Sequence, residues 1–416
     1  MSRNLLSMPE WAVAMALCLA ACAVRLWFVW PGTEVPLGSV DQSEYLALAQ
    51  NIRLHGTFSY GVPYKWGDHG VLDAAGPFGP TAGRSPLYPM TIAALWWGDA
   101  PPVLAVRILQ VILSSLIASL IYLIGGRVFD HRAGLLAGIG MAFAPLSAHM
   151  AATLHTHVLF TFLATLGLWL FGRNQSFLAG IALGAATLTR SVLLPVLVLA
   201  AVAALIFRFR RHAHLLMALG AILVISPWTV RNAITQHAFI PVASMGWGAN
   251  IFLGTFDVPY GGGHVWMVAG PDANRILAQA TSIEDAERRM LSDGLRRIAQ
   301  DPVGWLQVRA KQYPRLFLAS PYYLPDAGLP RILINVPYFA AGILFLVMAL
   351  WGLFRARHKW RDAYYLAAIP LFLCVAQFPA LTEERYSVDM IPMLMIFAGF
   401  GLSQLIAKVA PRKASR

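Results

Sequence analysis

The sequence predicts an all-α polytopic membrane protein: a bundle of about ten transmembrane helices with two large exoplasmic loops that contain interfacial helices. Three observations predict it. Of 416 residues, 58% are hydrophobic and 12% are charged, about half the charged share of a soluble globular chain, and the mean hydropathy is +0.60. Apolar runs long enough to cross a bilayer recur from Trp11 to Lys408, with no soluble-looking half. Two segments, 31–102 and 231–330, are too long and too polar to be simple connectors. The whole chain, 1–416, therefore reads as one transmembrane domain. Disordered, collagenous and disulfide-stapled classes are excluded, since Cys18, Cys22 and Cys374 all lie inside apolar runs.

The first run, 11–30, contains Leu19-Ala20-Ala21-Cys22, which matches a lipoprotein cleavage box. Apolar residues continue beyond it to Trp30, so it reads as a retained helix. Further spans are expected at 103–125, 133–150, 153–171, 213–230, 331–354, 362–379 and 388–407. The stretch 176–206 is too long for one perpendicular pass. If it crosses twice, breaking near Thr189-Arg190-Ser191, every basic loop falls on one side, as the positive-inside rule requires. Both termini are then cytoplasmic. That side carries 15 Lys/Arg against three acids, the full net charge of +12, while the remaining 17 basic and 17 acidic residues cancel. The charge is thus a topology signal and implies no nucleic-acid partner.

On the outer side, 41–52 has the apolar stripe of an amphipathic helix, with Asp41 near its N-terminus. A Gly/Pro-rich loop follows and ends in Gly83-Arg84-Ser85-Pro86-Leu87-Tyr88-Pro89. In the second loop, Ile283, Ala286, Met290, Leu295 and Ile298 form the inward stripe of another helix. Asp301-Pro302 then starts a further helix running to about Leu318. Every Asp and Glu lies outside the spans or at their ends, which counts against a proton- or sodium-coupled carrier. Arg25, near the outer interface, is expected to snorkel. Arg190, at a helix break, either lines a polar cavity or serves a helix end.

The outer face thus offers the carboxylates Asp41 and Glu44, the arginines Arg84, Arg231 and Arg385, the histidines His155 and His157, and Tyr386. Guanidiniums hold phosphate by charge-assisted hydrogen bonds, and a carboxylate beside them can activate a hydroxyl. This combination suits sugar transfer from a lipid phosphate. The bland alternatives are a helix cap for Asp41 and headgroup contacts for the arginines. His155 and His157 are two residues apart and share no helix face, so no metal site is assigned.

The sequence resembles the GT-C superfamily of polyprenyl-phosphate-sugar glycosyltransferases, in particular the bacterial branch with lipid A aminoarabinose and galacturonic acid transferases and protein O-mannosyltransferases. The carriers are Asp41 with Tyr45 and Ala49, Gly56-Thr57-Phe58, Arg84 to Pro89, Gly180 to Gly184 leading to Arg190, Pro227 to Asn232, and Arg385-Tyr386 before Pro392. What the resemblance implies is an inverting transfer at the exoplasmic face of a bacterial inner membrane. Asp41 would be the general base, and Arg84, Arg385, Arg231 and Arg190 would hold the donor phosphate. Glu44, Tyr45, Tyr88, His155, His157 and Tyr386 would position substrate. The donor would be a polyprenyl-phosphate-linked sugar, and the acceptor a glycan, lipid or protein. The chain departs from relatives with an Asp-Glu pair in having Gln42, and from those with an acid near the fourth span in having His155-Thr156-His157. A divalent metal and the oligomeric state stay open. The rival readings are a lipid or sugar flippase without catalysis and a glycan ligase using a lipid diphosphate.

Overall fold

All the apolar runs expected to span fold as helix. The computed structural model describes residues 8–29, 40–60, 65–66, 69–70, 79–258, 265–318 and 331–409. The helices that carry the runs are Glu10–Val29, Val103–Val128, the pair His131–Ala142 and Pro145–Ala152, His157–Gly172, Ser176–Thr189, Leu194–Phe207, Arg211–Gln236, Arg331–Ala356, Trp360–Gln377 and Ile391–Val409. Among the described residues, five stretches have the length and hydropathy of a full span. The pair at 131–152, bent by 47°, makes a sixth, and 157–172, 176–189 and 191–206 are shorter apolar helices. Large apolar side chains such as Trp11, Leu19, Leu199, Leu223 and Leu350 face outward from the bundle, as a lipid-facing surface requires. The protein is an integral multi-pass membrane protein.

The stretch 176–206 breaks where parity demands. Ser176–Thr189 ends at Arg190, whose backbone is extended (φ −146°, ψ 113°), and a short 3₁₀ turn leads into Leu194–Phe207. The stretch 336–377 is helical almost throughout but reverses at Arg357–Lys359. Tyr313 Oη donates to the Cys374 carbonyl at 2.7 Å, while a methyl added at Gly342 would meet the Phe317 carbonyl at 3.0 Å. In one straight helix positions 342 and 374 would be about 48 Å apart, so two neighbouring residues could not touch both. The turn belongs to the basic end of the bundle. There Lys359 Nζ donates to the Phe129 carbonyl, Arg210 Nη2 to Asn174 Oδ1, and Tyr364 bonds His214.

Small residues let these helices approach. Gly180 and Gly184 of one helix lie against Met217 to Val224 of Arg211–Gln236, whose Gly220 lies against Phe177 and Gly180 in return. A Cβ at Gly180 or Gly220 would run into a carbonyl oxygen, so the Gly180–Gly184 motif is a packing seam of the small-xxx-small kind.

Three expectations need correction. Arg25 does not snorkel. It is fully buried and donates to Ser114 Oγ at 2.7 Å and to the Ala142 and Met141 carbonyls at 2.9 and 3.1 Å. These carbonyls lie at the end of the helix His131–Ala142, where intrahelical donors run out, so the guanidinium serves the bend. Leu295 is also not inward. It is exposed, and the helix Ile283–Gln300 buries Ile283, Ala286, Glu287, Met290, Asp293 and Gly294 instead. The helix expected from Asp301-Pro302 to about Leu318 is two helices, Pro302–Gln312 and Arg315–Leu318, because Pro314 has no N–H to continue the first. Asp301 caps Pro302–Gln312 through the Gly304 N–H at 2.8 Å. Helices Trp247–Leu253, Val265–Gln279 and Ile283–Gln300 enclose a small separate core around Phe252, Leu277 and Met290.

Candidate active site

Away from the basic end, the chain places its charged residues at helix ends and on the irregular backbone between helices. Irregular backbone at membrane level is tolerated only where protein buries it or a polar cavity adjoins it. Asp41 sits in the first turn of Val40–His55. Arg84 lies just before Leu87–Ala94. His155 and Thr156 fill the gap before His157–Gly172, and Arg190 fills the break after Thr189. Arg385 and Asp389 lie in the 3₁₀ turn Glu384–Asp389.

Helix Val40–His55 is docked by polar as well as apolar groups. Tyr45, Leu48 and Ala49 are buried, and so are Gln42 and Glu44. The Tyr45 ring meets Tyr88 edge to face at 5.2 Å. Tyr88 Oη donates to Gln110 Oε1 at 3.1 Å, and Gln110 Nε2 donates to the Thr153 carbonyl at 2.5 Å. Gln42 Oε1 accepts the Leu154 N–H at 3.1 Å. Gln42 therefore ties the Asp41 helix to the His155 loop, a bracing role for its amide.

The centre is an ion-pair chain. Arg84 Nη2 donates to Asp41 Oδ1 at 2.7 Å, and Arg84 Nε to Glu44 Oε2 at 2.5 Å. Arg385 Nη1 donates to the other Asp41 oxygen at 2.9 Å, and its Nε pairs with Glu383. The Asp41 side chain keeps 24% exposure, so the carboxylate is clamped from two sides yet reachable. Burial would raise its carboxyl, but the Arg84 and Arg385 guanidiniums, with His155 in support, outweigh that and hold it well below the usual carboxylate range. Burial wins at Glu44, which is pushed up despite its bond to Arg84, with Asp41 adding to the rise.

A second cluster adjoins the first. Asp389 accepts from His157 Nδ1 at 2.9 Å and pairs with Arg190 Nε at 3.2 Å. Arg190 Nη1 donates to Thr156 Oγ1 at 2.9 Å. The Tyr386 ring lies between the clusters, 5.4 Å from the Arg385 guanidinium carbon and 5.8 Å from that of Arg190. The His155 ring is 6.1 Å from His157.

Asp41, Glu44, Arg84, Arg385, Tyr386, Arg190, His155 and His157 are thus brought together, with the paired Asp41 and Arg385 344 residues apart in the chain. Tyr45 and Tyr88 support them from beneath. Arg231 stands apart: it donates to the Thr81 carbonyl at 2.6 Å and the Phe58 carbonyl at 3.4 Å, and lies over the Trp228 ring at 4.6 Å. Its donors hold the first outer loop to Arg211–Gln236. Sequence reasoning left Asp389 and Glu383 out of the site. The signal for Asp389 was its place four residues after Arg385, in the turn that opens the last span. Among the described residues no group of three or more His, Cys, Asp or Glu is arranged to hold a metal ion.

The fold has counterparts among solved structures. Oligosaccharyltransferase AglB from Archaeoglobus fulgidus, in complex with an inhibitory peptide and a dolichol-phosphate, superposes with a TM-score of 0.58 at 13% identity, over 96% of this chain and 50% of that one. The chain has the GT-C membrane fold. The same enzyme tethered to an acceptor peptide gives 0.56 at 13% identity, with 96% and 50% covered. ArnT from Cupriavidus metallidurans bound to undecaprenyl phosphate gives 0.41 at 14% identity, covering 97% of this chain and 79% of that one. The chain spans about half the length of the archaeal protein. Residues 90–230 match the family described as Dolichyl-phosphate-mannose-protein mannosyltransferase. That match includes His155, His157 and Arg190 and leaves Asp41, Arg84 and Arg385 outside. No curated protein matches the sequence.

Proposed function

We propose that this GT-C chain is a membrane glycosyltransferase that moves a sugar from a polyprenyl-phosphate carrier to a hydroxyl of a glycan, lipid or protein. The observation that carries the reading is the clamp on Asp41: one carboxylate held by Arg84 at 2.7 Å and Arg385 at 2.9 Å, still partly open to solvent. A phosphate anchored in the bilayer matches both guanidiniums. The acceptor hydroxyl gives its proton to Asp41 as its oxygen bonds the anomeric carbon. The carbon–oxygen bond to phosphate breaks on the opposite face, and polyprenyl phosphate leaves with the electron pair, its charge held by Arg84, Arg385 and Arg190. Inversion follows from that geometry.

Asp41 is a weak base while both arginines face it. An incoming phosphate draws them into shared contacts and restores basicity to the carboxylate, which ties proton removal to a loaded donor site. Glu44 keeps Arg84 in place, and His155 and Tyr386 border the space left for the sugar. The periplasmic or exoplasmic side is the favoured location of the site, since the arginine-rich turns gather at the other end of the bundle.

The test is release of free polyprenyl phosphate from a radiolabelled polyprenyl-phosphate sugar by the full chain in bilayer nanodiscs supplied with envelope glycolipid. Release that depends on Asp41 supports the reading. An intact, well-folded protein that neither binds polyprenyl phosphate nor consumes the sugar donor refutes it.

A further inference from the structure

We infer that Asp389 is the positioning residue of the donor-phosphate site, acting through Arg190, and that His157 is its partner in this task. The inference rests on the donor reading above and extends it to a residue with no part in the proton transfer.

Arg190 occupies the break between two short apolar helices, where its extended backbone supplies no helical neighbour to steady the side chain. A guanidinium on such a break is useful for an anion only if something fixes it. Asp389 does so from the opening turn of the last span. One oxygen pairs with Arg190 Nε at 3.2 Å, and the other takes His157 Nδ1 at 2.9 Å. An ionised carboxylate can only accept, so His157 donates from Nδ1 and keeps Nε2 as an acceptor. That nitrogen faces Arg190 Nη1 at 3.5 Å, and Thr156 Oγ1 takes the same Nη1 at 2.9 Å. Aromatic rings close the flanks: Phe160 at 6.0 Å and Tyr386 at 5.8 Å from the guanidinium carbon. Asp389 and His157 are almost fully buried, at 3% and 1% side-chain exposure, whereas Arg190 keeps 18%. The support is buried and the supported cation keeps part of its surface exposed.

Asp41 and Asp389 therefore do opposite things. Asp41 competes with an incoming anion for Arg84 and Arg385, whereas Asp389 holds Arg190 in place to meet it. Simple electrostatics predicts that neutralising either acid strengthens anion binding. A positioning role predicts that neutralising Asp389 weakens it.

The experiment measures binding of polyprenyl phosphate alone to the full chain in nanodiscs. Asp389→Asn is expected to weaken binding about tenfold, about 1.4 kcal/mol, despite removing a negative charge. Arg190→Gln should lose at least as much. The double variant should be no worse than Arg190→Gln, because the carboxylate works only through that arginine. Thr156→Val, which leaves the carboxylate untouched, should weaken binding in the same direction by less, and keeps the test open if Asp389→Asn does not insert. Turnover gives a second readout: Asp389→Asn should raise KM for the donor and also lower kcat, because Arg190 holds the charge of the departing phosphate, and neither loss should deepen when Arg190→Gln is added. Tighter binding by a folded Asp389→Asn protein, or losses that add in the double variant, would overturn the inference. Equal binding by all variants overturns the inference and leaves the donor reading standing, whereas no binding by the parent overturns both.

Discussion

Replacing Asp41 by Asn keeps the shape of the side chain and removes the charge that two guanidiniums share. Two effects of opposite sign should follow. The proton acceptor is gone, so transfer should fall by about 10²–10⁴-fold. The competing anion is also gone, so phosphate should bind more tightly. A phosphate meeting Arg84 and Arg385 at ordinary hydrogen-bond distance would sit about 5–6 Å from the carboxylate, where unit charges repel by about 3 kcal/mol at an effective dielectric of about 20. The Asp41 side chain is 24% exposed, and solvent screening at such a group reduces this to about 1–1.5 kcal/mol, about a tenfold gain in affinity. Arg84 stays held by Glu44 and Arg385 by Glu383, so the variant should remain folded. The assay pairs polyprenyl phosphate binding with single-turnover transfer from a labelled donor in the same nanodiscs. An Asn variant that transfers at the parental rate, or binds the phosphate more weakly with an unchanged melting curve, would falsify the assignment.

Three further outcomes can be checked. Arg25→Met should lower stability by about 1–3 kcal/mol, because it strips buried carbonyls of their donor; the readout is thermal melting in nanodiscs, with donor binding unaffected once folded. Gly180→Val should cost about 1–3 kcal/mol or abolish insertion, since its Cβ meets the Met217 carbonyl, and protease protection of the membrane-embedded fragments reports the loss. Glu384 gives a pH signature: burial, with Glu383 adding, pushes its carboxyl up to about 7 from an ordinary 4.5. Its stabilising contribution is therefore complete below about pH 4.5 and is lost as pH rises through 7. Glu384→Gln should match the parent in unfolding free energy at pH 4.5 and exceed it at pH 8, by about 1–3 kcal/mol, read as a higher melting temperature at pH 8 only. Equal curves at both ends would remove that account.

Hydropathy and charge made the helices legible, including the break at Arg190, because bilayer thickness and the positive-inside rule constrain length and parity together. The resemblance in short motifs pointed to Asp41, Arg84 and Arg385, which the fold gathers into one cluster. Other features were out of reach because they depend on what side chains meet across the bundle. Arg25 looked like a residue near an interface, and only the bend at 142–145 shows which carbonyls it serves. Arg231 shares its chemistry with Arg84, yet nearby carbonyls claim its donors. Asp389 looked like the flank of a span, and its partners come from two other helix ends. Leu295 fitted the apolar stripe of a helix whose buried face also takes Glu287 and Asp293, a choice fixed by what packs against it.

The separation of 344 residues between Asp41 and Arg385 has a consequence for biogenesis. At about 5–20 residues per second, ribosomes deliver the second guanidinium roughly 20 to 70 s after the carboxylate. Throughout that interval Arg84, with His155 in support, faces that charge among the described residues, and the turn that carries Arg385 is not yet made. The working centre closes when the final hairpin and last span insert, so a nascent chain carries its acid across the bilayer long before it can act on any donor.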